Sequence, residues 1–155
     1  MDFRHIQFRY SETFSDTDLA QLQALFDDTA FWAQGRRSED LRTAIAHSYP
    51  VVTAWDHDRL IGFSRATSDG VYRATIWDVV IHPDYQGAGL GRKLVQTVLS
   101  HPHMSRVERV YLMTTDQQRF YERIGFKENQ TTTLVLFNQP FEPAPALSPE
   151  AAEAY

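Results

Sequence analysis

"VIHPDYQGAGLGRKLV", Val80 to Val95, decides how this chain is read. Ile76, Trp77 and Val79 lead into it, and together with Val80 and Ile81 they form an apolar, largely β-branched run that reads as a strand. Three glycines on alternate positions, Gly87, Gly89 and Gly91, then make a flexible turn. Leu90, Leu94, Val95, Val98 and Leu99 follow at helical spacing, so the turn joins a strand to a helix. Glycines tolerate left-handed backbone and leave no side chain between the backbone and a ligand. Successive amides in such a turn form an anion nest, and the helix adds free N–H groups and the positive end of its dipole. Arg92 and Lys93 sit in the first helical turn, where the dipole disfavours cations, and a bound phosphate would explain them.

Two familiar phosphate loops fail on spacing. A Walker loop needs Gly-x-x-x-x-Gly-Lys-[Ser/Thr]; from Gly87, Arg92 stands where the second glycine belongs and Leu94 where the hydroxyl belongs. A dinucleotide fingerprint needs Gly-x-Gly-x-x-Gly, and Arg92 again holds the place of the last glycine. Gln86, Gly89 and Gly91 fit Gln-x-x-Gly-x-Gly instead.

The elements around the turn follow from periodicity. His5–Tyr10 reads as a strand, and the Ser15 or Asp16 region caps a helix carrying Leu19, Leu22, Leu25 and Phe26. Ser38 is placed to cap a second helix with Leu41, Ile45 and Tyr49, stopped by Pro50. Val51–Trp55, Leu60–Thr67 and Val71–Ile81 read as strands joined by polar turns. After the glycine turn and its helix come a strand within residues 106–115, a short helix ended by Gly125, and a last strand, "TTTLVLFN", Thr131 to Asn138. The order β-α-α-β-β-β-α-β-α-β predicts an α+β fold: one mixed, mostly antiparallel sheet with helices on both faces. Residues 1–138 form the expected domain. Residues 139–155, with four prolines in seventeen residues, form the expected tail.

Composition bounds the function. A chain of 155 residues, 43% hydrophobic, has the material for one sizeable core. Net charge is −5 and the isoelectric point about 5.6, against the basic face of a general nucleic-acid binder. Without cysteine there is no disulfide, thiolate nucleophile or Cys-based zinc site. The six histidines show no HExxH pattern, His101 and His103 are expected in a loop, and no metal is expected. No apolar run approaches the roughly 20 residues of a membrane span, and the N-terminus has no signal-peptide core. A cytoplasmic protein with no membrane partner, monomeric or homodimeric, is the expectation.

"IHPDYQGAGLGRKLV" resembles the pyrophosphate loop of the GNAT superfamily of N-acetyltransferases, and the element order and "FYERIGF", Phe120 to Phe126, resemble that family too. The resemblance covers about residues 5–138 and is strongest over 76–126. "WDVVIHPDYQGAGLG", "VYLMTTDQQRFYERIGF" and "WAQGRRSEDL" look closest to its plastid and cyanobacterial branch. It implies acetyl-CoA as cosubstrate, with Gln86, Gly87, Ala88, Gly89, Leu90, Gly91, Arg92 and Lys93 around the pyrophosphate. It also implies that the backbone of Val79, Val80 and Ile81, on a splayed strand, pairs with the thioester and the pantetheine arm. Tyr121 matches the family's general-acid tyrosine. Where many members have a pantetheine-binding asparagine this chain has Thr114, and where they have a basic glutamate it has Thr75, with Trp77 two along. Asp78 is the nearest carboxylate and the candidate base, His82 lies just beyond the strand, and a water chain or no dedicated base stays open.

Acetyl transfer needs a neutral amine, a donor for the oxyanion and a proton for the departing thiolate. Phe31, Trp32, Arg36, Arg37 and Tyr72 lie in the regions that shape the acceptor site in this family. The expected acceptor is a primary amine, a protein lysine or N-terminus ahead of a serotonin-like arylalkylamine. The acidic surface would draw in basic peptides, whereas Phe31, Trp32 and Tyr72 could sandwich an indole. A CoA-sensing module and a structural subunit are the readings outside catalysis; Tyr121 argues against the first and the intact glycine turn against the second.

Overall fold

The computed structural model describes residues 2–138. Five strands form one sheet in the order β1-β2-β3-β4-β5: β1 Gln7–Tyr10, β2 Val51–Asp56, β3 Arg59–Ser68, β4 Arg73–Ile81 and β5 Arg109–Tyr111. Neighbours run antiparallel except β4 and β5, which are parallel. The helices are α1 Asp16–Thr29, α2 Ser38–Ala46, α3 Leu90–Ser100, α4 Pro102–Ser105 and α5 Gln118–Ile124. A mixed sheet with helices on both faces is the architecture the sequence predicts.

Alternation along β2 explains why the sheet needs two covers. Val51 and Trp55 pack with Leu19, Leu22, Leu25 and Phe26 of α1 and with Leu41 and Ile45 of α2. Val52 and Ala54 face the opposite layer, with Leu90, Leu94, Val95 and Val98 of α3. Successive side chains of a strand point to opposite faces, so a strand sandwiched between helices reads as one continuous buried run. The two buried hydroxyl residues of the sheet are satisfied: Thr53 Oγ1 meets Ser11 Oγ at 2.7 Å and accepts from Trp55 Nε1 at 2.8 Å, and Ser64 Oγ donates to the Trp77 carbonyl at 3.1 Å.

Several local readings shift. Ser15 caps α1 in a reciprocal capping box with Asp18, but the cap of α2 is Arg37, and Ser38 is already its first helical residue. His101 and His103 lie not in a loop but at α4, which His101 caps by accepting from the His103 amide at 3.0 Å. Val71 and Tyr72 belong to the β3–β4 turn, where Asp69 Oδ1 accepts from the amides of Val71, Tyr72 and Arg73. The largest departure is the expected last strand. Residues 131–138 have no ladder partner among the described residues, and Leu134 to Phe137 are exposed. A strand needs a partner edge as well as β-propensity, and β5 has only three residues in its ladder. The proline-rich segment from 139 lies outside the described residues.

Candidate active site

The β4–β5 ladder holds only three pairs, Arg73 with Arg109, Ala74 with Val110, and Thr75 with Tyr111. From Ile76 onward the two strands part. The wedge between them is a cavity of about 440 Å³, lined by residues 76–79, residues 112–115, Tyr121 of α5, and Trp32 and Arg36 from the α1–α2 connection. On its other edge β4 stays paired with β3 through Ile81. The His82 amide donates to the Ile61 carbonyl at 2.8 Å. Antiparallel alternation then turns the amide of Val80 towards β3 as well, and those of Val79 and Ile81 towards the open edge. Three consecutive residues were singled out in the sequence, but their backbone groups do not all face one way.

Asp78 makes the bend. Phe63 pairs with Val80 and Arg65 with Trp77, so β4 carries one residue more than β3 over this step, and Asp78 takes φ +57°. This is a β-bulge. Ala74 and Ile76 before it, and Val79 and Ile81 after it, all join the α3-side core, although simple alternation would split them. For the same reason Trp77 and Asp78 both line the cavity instead of pointing to opposite faces. The Asp78 side chain is 7% exposed, and its Oδ2 accepts from Arg65 Nε at 2.8 Å and Arg36 Nη1 at 3.1 Å. Both bonds fall on Oδ2, so Oδ1 has no bonded partner among the described residues.

The glycine turn lies just beyond. A short 3₁₀ turn, Pro83–Tyr85, leads into it, and Gln86 Nε2 donates to the Ile81 carbonyl at 2.9 Å, clamping the turn onto the end of β4. Gly87 and Gly89 take φ +83° and +80°, and a Cβ at either would meet nothing within 4 Å. Gly89 is the N-cap of α3. Gly91 differs: its φ is not left-handed, and a Cβ there would come to 3.4 Å from Phe120 Cζ, so it lets α5 approach α3. Arg92 has no ion-pair partner among the described residues. Lys93 instead places its Nζ over the Phe8 ring at 4.9 Å.

Tyr121 is 3% exposed, with its ring edge-on to Phe120 and Phe126. The Thr114 hydroxyl oxygen accepts from the Gln117 amide at 3.1 Å at the start of α5, which leaves its proton and one lone pair for a ligand. His82 is outside the cavity lining; its Nδ1 accepts from the Asp84 amide and its Nε2 meets Arg59. The aromatic sandwich that would favour the alternative arylalkylamine acceptor does not assemble. Trp32 lines the cavity, but Phe31 and Tyr72 are exposed and outside the lining. Arg37 pairs outward with Glu39 and Asp40. Arg65 went unremarked in the sequence, although a charged residue between the apolar stretch Leu60–Phe63 and Ala66 of β3 was the available signal. His5, Asp56 and His57, outside the cavity lining, also come together with their ligand atoms within 4.8 Å of one another.

The sequence pattern of the acetyltransferase (GNAT) family matches residues 19–126. The N-acetyltransferase ycf52 of Porphyra purpurea is 34% identical over 122 residues, covering 76% of this chain and 69% of the relative.

The chain belongs to the GNAT family of acetyltransferases.

Among solved structures, a GNAT-family acetyltransferase from Xanthomonas campestris pv. campestris superposes with a TM-score of 0.73 at 26% identity, over 86% of this chain and 96% of that one. Two GNAT relatives are named for their acceptors. Histone acetyltransferase TAP1 of Glycine max is 35% identical, covering 72% of this chain and 53% of the relative. Serotonin N-acetyltransferase 2, chloroplastic, of Oryza sativa subsp. japonica is 33% identical, covering 70% and 56%. The chain thus spans little more than half the length of these two. The family's members use acetyl-CoA as acetyl donor, and no helix among the described residues is long and apolar enough to cross a membrane.

Proposed function

We propose that this GNAT protein moves an acetyl group from acetyl-CoA to a primary amine of a protein or peptide, a lysine side chain or an N-terminus. The observation that carries the reading is the edge of β4 beyond Thr75, which has no ladder partner among the described residues and runs from the cavity directly into the glycine turn. The turn, with the Gly89-capped start of α3 and Arg92, would hold the pyrophosphate, with Gln86 bracing it and Gly87, Ala88 and Leu90 bringing the backbone close, while Gly91 serves the contact between α3 and α5. The amides of Val79 and Ile81 would receive the thioester carbonyl and the pantetheine arm, with one contact from the Thr114 hydroxyl.

The amine nitrogen attacks the thioester carbon, and the negative charge that develops on oxygen is met by a preorganised amide of the β4 edge. Collapse breaks the carbon–sulfur bond. Tyr121 donates its phenolic proton to the departing thiolate, and the proton of the amine passes to Asp78 Oδ1, directly or through water. Arg65 and Arg36 hold Oδ2, fixing the carboxylate across the cavity. A protein acceptor is supported by the name of the soybean relative and by the chain's net charge of −5, which attracts basic segments at long range. A cytoplasmic location fits the lack of a spanning helix among the described residues, and a plastid one fits the name of the rice relative.

A second reading, transfer to an arylalkylamine, has its own observation: Trp32 and Trp77 both line the cavity, and the rice relative is named for serotonin. A competition assay decides between them. Lysine peptides and N-terminal peptides are expected to exceed serotonin and tryptamine in kcat/KM. An arylalkylamine at least tenfold better than any peptide would replace the first reading with the second.

A further inference from the structure

The acceptor end of the cavity carries one positive charge more than it needs. Asp78 is the lone carboxylate in the lining among the described residues, and Arg65 behind it already neutralises it. Arg65 is firmly held: its Nε is on Asp78 at 2.8 Å, its Nη1 donates to Ser48 Oγ at 3.2 Å, and its guanidinium lies 5.9 Å from the centre of the Trp77 ring. Arg36 is the surplus cation. It spends one donor on Asp78 at 3.1 Å, and its remaining guanidinium donors make no hydrogen bond among the described residues. Its side chain is 33% exposed and lines the cavity, as does Tyr121.

The backbone under Arg36 is built to present it. Gly35, at φ +76°, turns the chain, and its amide donates to Asp27 Oδ1 at 3.3 Å. Gln23 Nε2 donates to the Arg36 carbonyl at 3.1 Å, and the guanidinium lies 5.3 Å from the centre of the Phe26 ring. A guanidinium offers several N–H donors in a planar fork matched to a carboxylate. One bond to Asp78 leaves donors for a second anion.

We propose that Arg36 is an anion subsite of the acceptor pocket, and that the acceptor carries a carboxylate beside its reactive amine, as in a peptide N-terminus followed by an acidic residue. This rests on the transfer reading above and narrows it. The net charge of −5 governs long-range attraction, whereas the group that enters the cavity meets Arg36. A carboxylate there would bring the local charge of Arg36, Arg65 and Asp78 to zero.

The test uses two tripeptide amides that differ in one charge, Ala-Asp-Ala and Ala-Asn-Ala, with the wild-type protein, Arg36→Gln and Arg36→Lys. Wild type should prefer the Asp peptide in kcat/KM by about tenfold or more, the scale of one hydrogen bond to a charged group. Arg36→Gln should bring the ratio to within about twofold of unity, and Arg36→Lys should restore part of it, since a lysine keeps the charge without the fork. The second readout needs no turnover. Affinity of the N-acetylated peptides for the CoA-loaded protein, followed by tryptophan fluorescence, should show the same Asp preference and the same loss in Arg36→Gln. A ratio near unity in wild type, or a preference that survives Arg36→Gln, overturns the subsite. So does an Arg36→Gln variant that gains on every amine alike, which would mean that Arg36 occupies the place of the acceptor's own ammonium. Asp-selective binding without acetylation of any amine would leave the subsite standing and overturn the transfer reading. Acetylation without Asp preference would do the reverse.

Discussion

Gly89→Ala separates the backbone role of the glycine turn from its ligand role. Gly89 holds φ +80° at the N-cap of α3, and the space where a Cβ would project is open to 4 Å. The fold therefore meets no clash, only the cost of placing an L-residue in left-handed backbone, about 1–2 kcal/mol. In a domain of this size that lowers Tm by roughly 3–8 °C. Loss of CoA affinity should be larger than this strain explains, because the methyl projects into the space assigned to the pyrophosphate. Displacing even one charge-assisted amide contact costs about 1.5–3 kcal/mol, tenfold or more in Kd. One neighbour repeats the perturbation and another controls for it. Gly87→Ala meets the same left-handed backbone, φ +83°, and the same open space. Gly91→Ala meets no left-handed backbone; its Cβ would reach Phe120 Cζ at 3.4 Å, and alanine's helix propensity exceeds glycine's by about 1 kcal/mol. Gly91→Ala should therefore keep its stability within about 1 kcal/mol and keep most of its affinity. Urea melts and calorimetric titration with CoA measure both quantities. If Gly89→Ala binds CoA as well as Gly91→Ala does, the pyrophosphate lies elsewhere. If it is as stable as wild type, the left-handed strain is absent.

Tyr121→Phe should lower kcat by about 10²-fold or more while leaving the KM for acetyl-CoA close to wild type, the pattern of a proton donor used in the transition state; the ring contacts with Phe120 and Phe126 remain, and wild-type turnover would make the hydroxyl structural. Ser15→Ala removes the acceptor that holds the Asp18 amide at 3.0 Å, and chemical denaturation should show a loss of about 1 kcal/mol with activity retained. Burial, and then the nearby His103, hold the His101 imidazole below its ordinary value of 6.5. As pH falls through 6.5 the unfolded chain takes up a proton that the folded one resists. Stability is therefore full above 6.5 and declines below it, by at most about 1.4 kcal/mol per pH unit for one proton. His101→Asn should flatten the fall in urea midpoint between pH 7.5 and 5.5, and an unchanged slope would assign that fall to other groups.

The readings that survived in detail rest on short-range signals. The helix start in the Ser15–Asp16 region, the stripe of α3, Gly125 closing α5 and the left-handed Gly87 and Gly89 all act within a few residues. Strand extents were harder, because pairing partners set them. β5 shrinks to Arg109–Tyr111 where β4 diverges, and residues 131–138 have strand-like composition but no ladder among the described residues. The site divides in the same way. The glycine turn and Tyr121 were visible as motifs, whereas the sandwich of Phe31, Trp32 and Tyr72 was assembled from composition and came apart, with only Trp32 at the cavity.

By itself the sequence determined the order of the elements from β1 to α5, apart from the short α4, together with the glycine turn and the tyrosine of the later helix, because each is written in the spacing of neighbouring residues. The tertiary structure decided what Asp78 does. Its position relative to Trp77 depended on a bulge created by pairing with β3, and its partners, Arg36 and Arg65, lie 42 and 13 residues away. The fold brings those charges together because an almost buried carboxylate needs cations around it, and the chain supplies them from one loop and one strand that no local pattern connects.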